Sequence, residues 1–244
     1  MADFQYAQGR PAVGTADMAV DKGLRGFMLG VFNKMALGLL LSAVLAYVSA
    51  TVPPVTALVF GTPLRYVVMF GPIAILLISS FTMRNPSPLA SGIIYWAVVS
   101  LIGTGLGALL IYYGARPDGM MDIAKAFLTT SAAFGALSLW GYTTKRDLSG
   151  FGTFLVMGLI GLIIASLINM FFPSDMLGFI ISVAGVLIFA GLTAFDTQRL
   201  KYQYYELGGD ARSMAVATNY GALSLYLNFI NLFQFILSLI SSRD

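Results

Sequence analysis

The chain is 244 residues long, 58% hydrophobic and 10% charged, with a mean hydropathy of +0.83 and a net charge of +3. A soluble domain carries about 25% charged residues, so this chain has too little polar surface to be solvated by water and reads as an integral membrane protein. It contains no cysteine and no histidine, which excludes disulfides, thiolate or imidazole metal sites, haem ligation by either residue, and any mechanism that rests on an imidazole base.

The positive excess is assigned to membrane orientation, not to nucleic acid, and no nucleic-acid partner is expected. Without histidine, any titration near neutrality has to come from a carboxylate in an unusual setting.

Residues 1–26 are polar, lack the apolar centre of a signal peptide, and read as a cytoplasmic tail. Residues 27–244 read as one seven-helix transmembrane domain. Its apolar stretches run from Phe27 to Ala50, Tyr66 to Met83, Leu89 to Tyr113, Ile123 to Tyr142, Leu148 to Phe172, Met176 to Phe195, and Val216 to Ile240. Each is close to the roughly 20 residues that a membrane helix needs. Backbone groups in lipid must be paired within the segment, and the alternation of barrel strands is absent, so the class is all-α. Lys34 lies inside the first stretch, so its membrane core is expected to begin later than its apolar periodicity does.

Lys and Arg set the expected orientation. The tail and the even connections hold nine of them, including Arg84, Lys145, Arg146, Arg199, Lys201 and Arg212, against Arg65, Arg116 and Arg243 on the other side, or four there with Lys125 just inside a helix. The N-terminus is therefore expected in the cytoplasm and the C-terminus outside. Glycines cluster within the spans, as in "GTGLG" at Gly103, Gly105 and Gly107 and "GLIG" at Gly158 and Gly161. Their place inside apolar helices points to close helix packing and excludes a phosphate-binding loop.

Three polar positions converge on the expected cytoplasmic side. Arg84 ends the second span, Asp196 ends the sixth, and Asn228 lies about two turns into the seventh. In that last span Tyr220, Ser224, Asn228, Asn231 and Ser238 recur at helical spacing along one face, with Gln234 beside them. Such a face is costly in lipid. It is either interhelical glue or the lining of a path for water or cations. Asp196 is either an interfacial acid paired with Arg199 one turn on, or an intramembrane functional carboxylate. Arg84 is either a plain positive-inside anchor or a partner of that carboxylate.

"GLTAFDTQRLK" (residues 191–201) followed by "GALSLYLNFINLF" resembles the closing signature of the Bax inhibitor-1, or transmembrane Bax inhibitor motif, family, and "MRNPSPLASGIIYW" is similar to the family's junction between spans two and three. The resemblance covers the chain beyond the tail. It implies two three-helix layers around a central C-terminal helix, a bacterial inner-membrane location, and a calcium leak regulated by pH. In family members so described, two aspartates on helices six and seven share a proton and contact an arginine on helix two. Asp196 matches the first aspartate, and Arg84 is the candidate arginine. Where the family often reads "LDFINLF", this chain reads "LNFINLF", so Asn228 replaces the second aspartate. Two adjacent carboxylates bind a shared proton because they cannot both ionise cheaply; an Asp–Asn pair has no such repulsion. Asn228 can still donate to Asp196 or offer a carbonyl to a cation.

The expected ion path or latch is thus Asp196, Arg84, Asn228, Asn231 and Arg199, with Asp196 as a weak, transient Ca²⁺ ligand and no resident cofactor. The alternative is a non-conducting regulator that binds a membrane protein such as a membrane-bound ATP-dependent protease. No enzymatic activity is expected. A rhomboid-type protease needs a histidine, and an aspartyl protease needs two membrane-embedded aspartates where only Asp196 suggests itself.

Overall fold

A computed structural model describes residues 21–82 and 85–241. Among these residues there are eight helices and no strand: α1 (Lys22–Thr51), α2 (Pro53–Gly61), α3 (Leu64–Thr82), α4 (Pro88–Gly114), α5 (Gly119–Thr143), α6 (Ser149–Phe171), α7 (Asp175–Glu206) and α8 (Ala211–Ser241). All but α2 are long and apolar enough to cross a membrane. The nine residues of α2 reach only about 14 Å at 1.5 Å per residue, half of a hydrocarbon core. The prolines at its first positions suit a helix start, where the missing N–H would have no partner in any case. The hydropathy pattern had left this segment as a connection.

Helix α4 packs on α1 and α3, and α7 packs on α5 and α6, so the spans form two three-helix layers. Helix α8 touches α1, α4, α5 and α7 and closes the space between the layers. Its most apolar window is 56% buried, against 17–33% for the other six spans. The last helix is the core of the molecule, which is why it can carry a polar stripe.

Glycine sets the closest helix approach. Along α4, a Cβ on Gly103 would lie 2.6 Å from Ser42 Cα, and one on Gly107 would overlap the Ser49 hydroxyl. With no side chain there, Ser42 Oγ reaches Val99 O at 3.3 Å and the Tyr226 hydroxyl at 2.7 Å, while Ser49 Oγ donates to Thr104 O at 3.0 Å. One Gly-Ser seam therefore joins α1, α4 and α8 by backbone proximity and hydroxyl bonds, as small-residue interfaces do in lipid. Gly161 meets nothing within 4 Å, so not every glycine of the pattern serves packing.

Several helices run past the apolar stretches that announced them, three of them by five residues or more. Helix α1 starts at Lys22, inside the stretch read as tail, because Asp21 caps it by accepting from Gly23 N at 2.7 Å and Leu24 N at 3.2 Å. Helix α8 starts at Ala211 rather than Val216. The largest change is in α7, which does not end at the acid: it continues ten residues beyond Asp196 to Glu206. Polar contacts hold that continuation. Gln198 Nε2 donates to Arg146 O at 2.7 Å, its Oε1 accepts from Leu148 N at 2.8 Å, and Lys201 Nζ donates to Tyr142 O at 3.0 Å. The turn into α8 then uses Gly208 and Gly209 at φ +57° and +84°, conformations that side chains rarely adopt.

Candidate functional site

Helix α7 presents Asp196 toward α8, where Ser224 and Asn228 are four residues apart and so share one face. The neighbouring threonines do not compete for the carboxylate. Thr193 and Thr197 are fully buried, and each donates back along its own helix at 2.8 Å, to Phe189 O and Thr193 O. Asp196 Oδ2 accepts from Ser224 Oγ at 2.6 Å and from Asn228 Nδ2 at 2.8 Å, and Oδ1 meets Arg199 Nη2 at 2.9 Å. Arg199 also donates to Ser224 Oγ at 3.4 Å and lies over the Phe195 ring. Asp196 is only 5% exposed, whereas the Arg199 side chain is 52% exposed. The acid is thus covered by α8 on one side and by the half-exposed Arg199 side chain on the other.

The depth of the acid follows from helix length. Asp196 lies 21 residues from the start of α7, about 31 Å at 1.5 Å per residue, which places it near the far boundary of a ~30 Å hydrocarbon core. Partners of Asp196 line two cavities. A cleft of about 840 Å³ is lined by Arg199, Gln198, Tyr202, Glu206, Tyr220 and Asp147. A second cavity of about 560 Å³, between α6, α7 and α8, has Ser224, Asn228 and Asn231 among walls that include Leu162, Leu192 and Phe235. Asp196 is bonded to a residue of the first and to two residues of the second.

The donor set bears on cations. Among the described residues no group of three acids could hold a metal ion. Around Asp196, moreover, the neighbours offer N–H and O–H donors, and the Asn228 carbonyl is turned away because a carboxylate can only accept. As arranged, the cluster suits a carboxylate and excludes a cation. A cation would need Arg199 displaced and the Asn228 amide rotated. At the mouth of the cleft, the Ser149 hydroxyl and amide hold the Asp147 carboxyl below its ordinary value, and Ser213 does the same for Asp210 in the α7–α8 turn. Both acids therefore stay ionised well below neutral pH.

The structure brings together Asp196, Asn228, Ser224 and Arg199 from the residues singled out in the sequence. Tyr220 lines the cleft. Asn231 lines the second cavity but donates to Leu227 O of its own helix at 2.8 Å. Ser238 bonds Ser182 of α7 at 2.9 Å, farther along the seam. Arg84 lies outside the described residues, and the guanidinium that meets Asp196 is Arg199. Asp196 is not alone as a buried acid: Asp122 in the first turn of α5 is 4% exposed and pairs with Lys125 at 3.4 Å. The sequence reading missed it because an acid at a helix start looks like a solvated one. It sits at the opposite end of the bundle from Asp196, so the two do not form an aspartyl pair.

Seven apolar helices with a polar-striped helix at their centre, and a buried acid tied to it, define a polytopic helical membrane protein. The family profile described as "Inhibitor of apoptosis-promoting Bax1" matches residues 24–244, and the chain belongs to this Bax inhibitor-1 family. It is 56% identical to a protein from Caulobacter vibrioides described as uncharacterized, over 98% of this chain and 97% of the relative. It is 42% identical to the uncharacterized protein RP147 of Rickettsia prowazekii, over 91% and 92%. It is 37% identical to the inner membrane protein YbhL of Escherichia coli, over 91% and 93%. The chain is accordingly a multi-pass inner-membrane protein.

Proposed function

We propose that the chain is a calcium leak that runs past Asp196 and is held closed while Arg199, Ser224 and Asn228 occupy its carboxylate, with its N-terminus in the cytoplasm and its C-terminus outside. The observation that carries this reading is that one buried carboxylate is bonded to residues that line two cavities, Arg199 with its half-exposed guanidinium on one and Ser224 and Asn228 on the other. Arg199 occupies the place that an entering cation would take. Displacing it frees Asp196 Oδ1, and rotating Asn228 supplies a carbonyl oxygen. A Ca²⁺ ion would then meet one carboxylate and neutral oxygens, which suits transient passage and not storage. No enzymatic step and no resident cofactor enter this account.

The shared-proton device implied by the family resemblance needs two carboxylates, and the partner of Asp196 here is an amide. The leak is therefore proposed to be latched by hydrogen bonding and by Arg199, with little response to pH between 6 and 8. A second reading, a non-conducting regulator of a membrane-bound protein partner, is favoured by the full pairing of the Asp196 carboxylate inside the bundle. Purified protein in liposomes loaded with a calcium indicator separates the two. Flux above empty liposomes, raised by Arg199→Gln, is expected. No flux at any pH from 5 to 8 overturns the leak and leaves the regulator.

A further inference from the structure

A second polar cluster lies at the other layer, away from Asp196. Lys34 of α1 donates through Nζ to Asn219 Oδ1 of α8. The amide of Asn219 is fixed in that sense, because its Nδ2 donates to Ser91 Oγ at 2.7 Å and to Pro88 O at 3.1 Å. Asn219 is 6% exposed. The Lys34 ammonium also stands 5.3 Å from the centre of the Tyr95 ring and 5.9 Å from that of Trp96, and Tyr95 Oη donates to Lys34 O at 2.6 Å. All these partners are neutral. Among the described residues no carboxylate lies within ion-pair distance of Nζ, so the amino group is held by neutral partners without a counter-charge. An ammonium has three donors, and a cavity of about 520 Å³ opens against it between Lys34, Gly92, Trp96, Ser100 and Asn219. The rim of that cavity includes Leu89 and Ile93, 74% and 60% exposed, on a face of α4 that no other helix covers among the described residues.

Three helices independently give the depth of this cluster. Lys34 lies 17 residues before the end of α1, Trp96 lies 18 before the end of α4, and Asn219 lies 22 before the end of α8. At 1.5 Å per residue these are about 26, 27 and 33 Å, so all three stand about one hydrocarbon thickness from the opposite surface. That is the level of the glycerol and phosphate groups of the leaflet on the N-terminal side, and the level at which tryptophan gathers. Basic pockets between membrane helices at this depth recognise anionic headgroups.

We propose that the Lys34–Asn219–Trp96 pocket binds the phosphate of an anionic phospholipid of the N-terminal-side leaflet. Lys34 supplies the charge and the donors. Asn219, locked by Ser91 and Pro88, holds the ammonium at the rim. Leu89 and Ile93 lie along the first carbons of the acyl chain. Gly92 keeps the floor open: its own Cβ position is 3.7 Å from the Asn219 amide nitrogen, so a longer side chain there fills the cavity.

The chain has two tryptophans, Trp96 and Trp140, so Trp140→Phe leaves Trp96 as the sole reporter. The full-length variant is placed in phosphatidylcholine nanodiscs, and Trp96 quenching is titrated with bromine-labelled phosphatidylglycerol or bromine-labelled phosphatidylcholine. Phosphatidylglycerol is expected to be preferred by about fivefold, the equivalent of the ~1 kcal/mol that a basic residue contributes near an anionic surface. Lys34→Met and Gly92→Leu each remove the preference, while Lys34→Arg keeps it. If one variant fails to fold, the others still decide the matter. Equal quenching by both lipids in the parent, or a preference that survives Lys34→Met, overturns the assignment. Loss of the preference on adding millimolar inorganic phosphate overturns the lipid source and makes the pocket a site for a soluble anion.

Discussion

Replacing Asn228 with leucine removes one donor from a buried carboxylate and adds side-chain volume, an addition that the control Asn231→Leu shares. Asp196 is 5% exposed, and the bond to Asn228 Nδ2 is 2.8 Å long. In water-soluble proteins a hydrogen bond to a charged group contributes about 1.5–3 kcal/mol. Interhelical bonds within membranes average nearer ~0.6, with a maximum of ~1.7 kcal/mol, because the unfolded chain in lipid also finds partners. Ser224 and Arg199 still hold Asp196 after the change, so the carboxylate is not orphaned. The burial and the short distance put the loss near the top of the membrane range, roughly 1.5 kcal/mol. Asn231→Leu is the matched control: it deletes an amide that lines the same cavity but bonds only Leu227 O on its own helix. Reversible unfolding in mixed micelles reads both. Asn228→Leu should lose about 1 kcal/mol more than Asn231→Leu, and that loss should vanish in an Asp196→Asn background. Equal losses, or a loss unaffected by Asp196→Asn, would refute the idea that Asn228 acts through Asp196.

Arg199→Gln should raise calcium flux by no more than about fivefold, since a half-exposed pair is worth about 0–1 kcal/mol; proteoliposome flux measures it. Asn228→Asp restores two carboxylates at hydrogen-bond distance, which together hold one proton. The shared proton keeps the latch closed at low pH and is lost as pH rises, so flux in this variant should climb between pH 6 and 8 while the parent stays flat. Asp147 and Asp210, held below their ordinary values by Ser149 and Ser213, stay charged throughout that window and should contribute no slope. Gly103→Val forces α4 away from the Ser42 backbone. Overpacking of this kind costs about 1–3 kcal/mol, and thermal unfolding in detergent should report it.

What the sequence carried and what it did not divide along physical lines. Hydropathy sees lipid, so it located seven spans and missed the parts of helices that leave the membrane. Helix α7 continues past Asp196 because Gln198 and Lys201 find backbone partners in and beside the α5–α6 connection, and no periodicity within one span encodes a partner on another. The four-residue spacing of Ser224 and Asn228 was legible as one face of a helix. That this face meets Asp196 depends on the packing of α7 on α8. The lysine inside the first span was visible as an oddity. Its partners, Asn219 and Trp96, come from two other helices, and only their common depth makes them a pocket. Asp122 was passed over since an acid in a first helical turn has an ordinary explanation in the helix dipole.

Calcium flux through liposomes carrying the parent protein or Asp196→Asn tests the central claim most directly. The parent should leak calcium above empty liposomes. Asp196→Asn removes the carboxylate whose partners line both cavities and should abolish the leak even when Arg199→Gln is also present. Undiminished flux in Asp196→Asn would contradict the account.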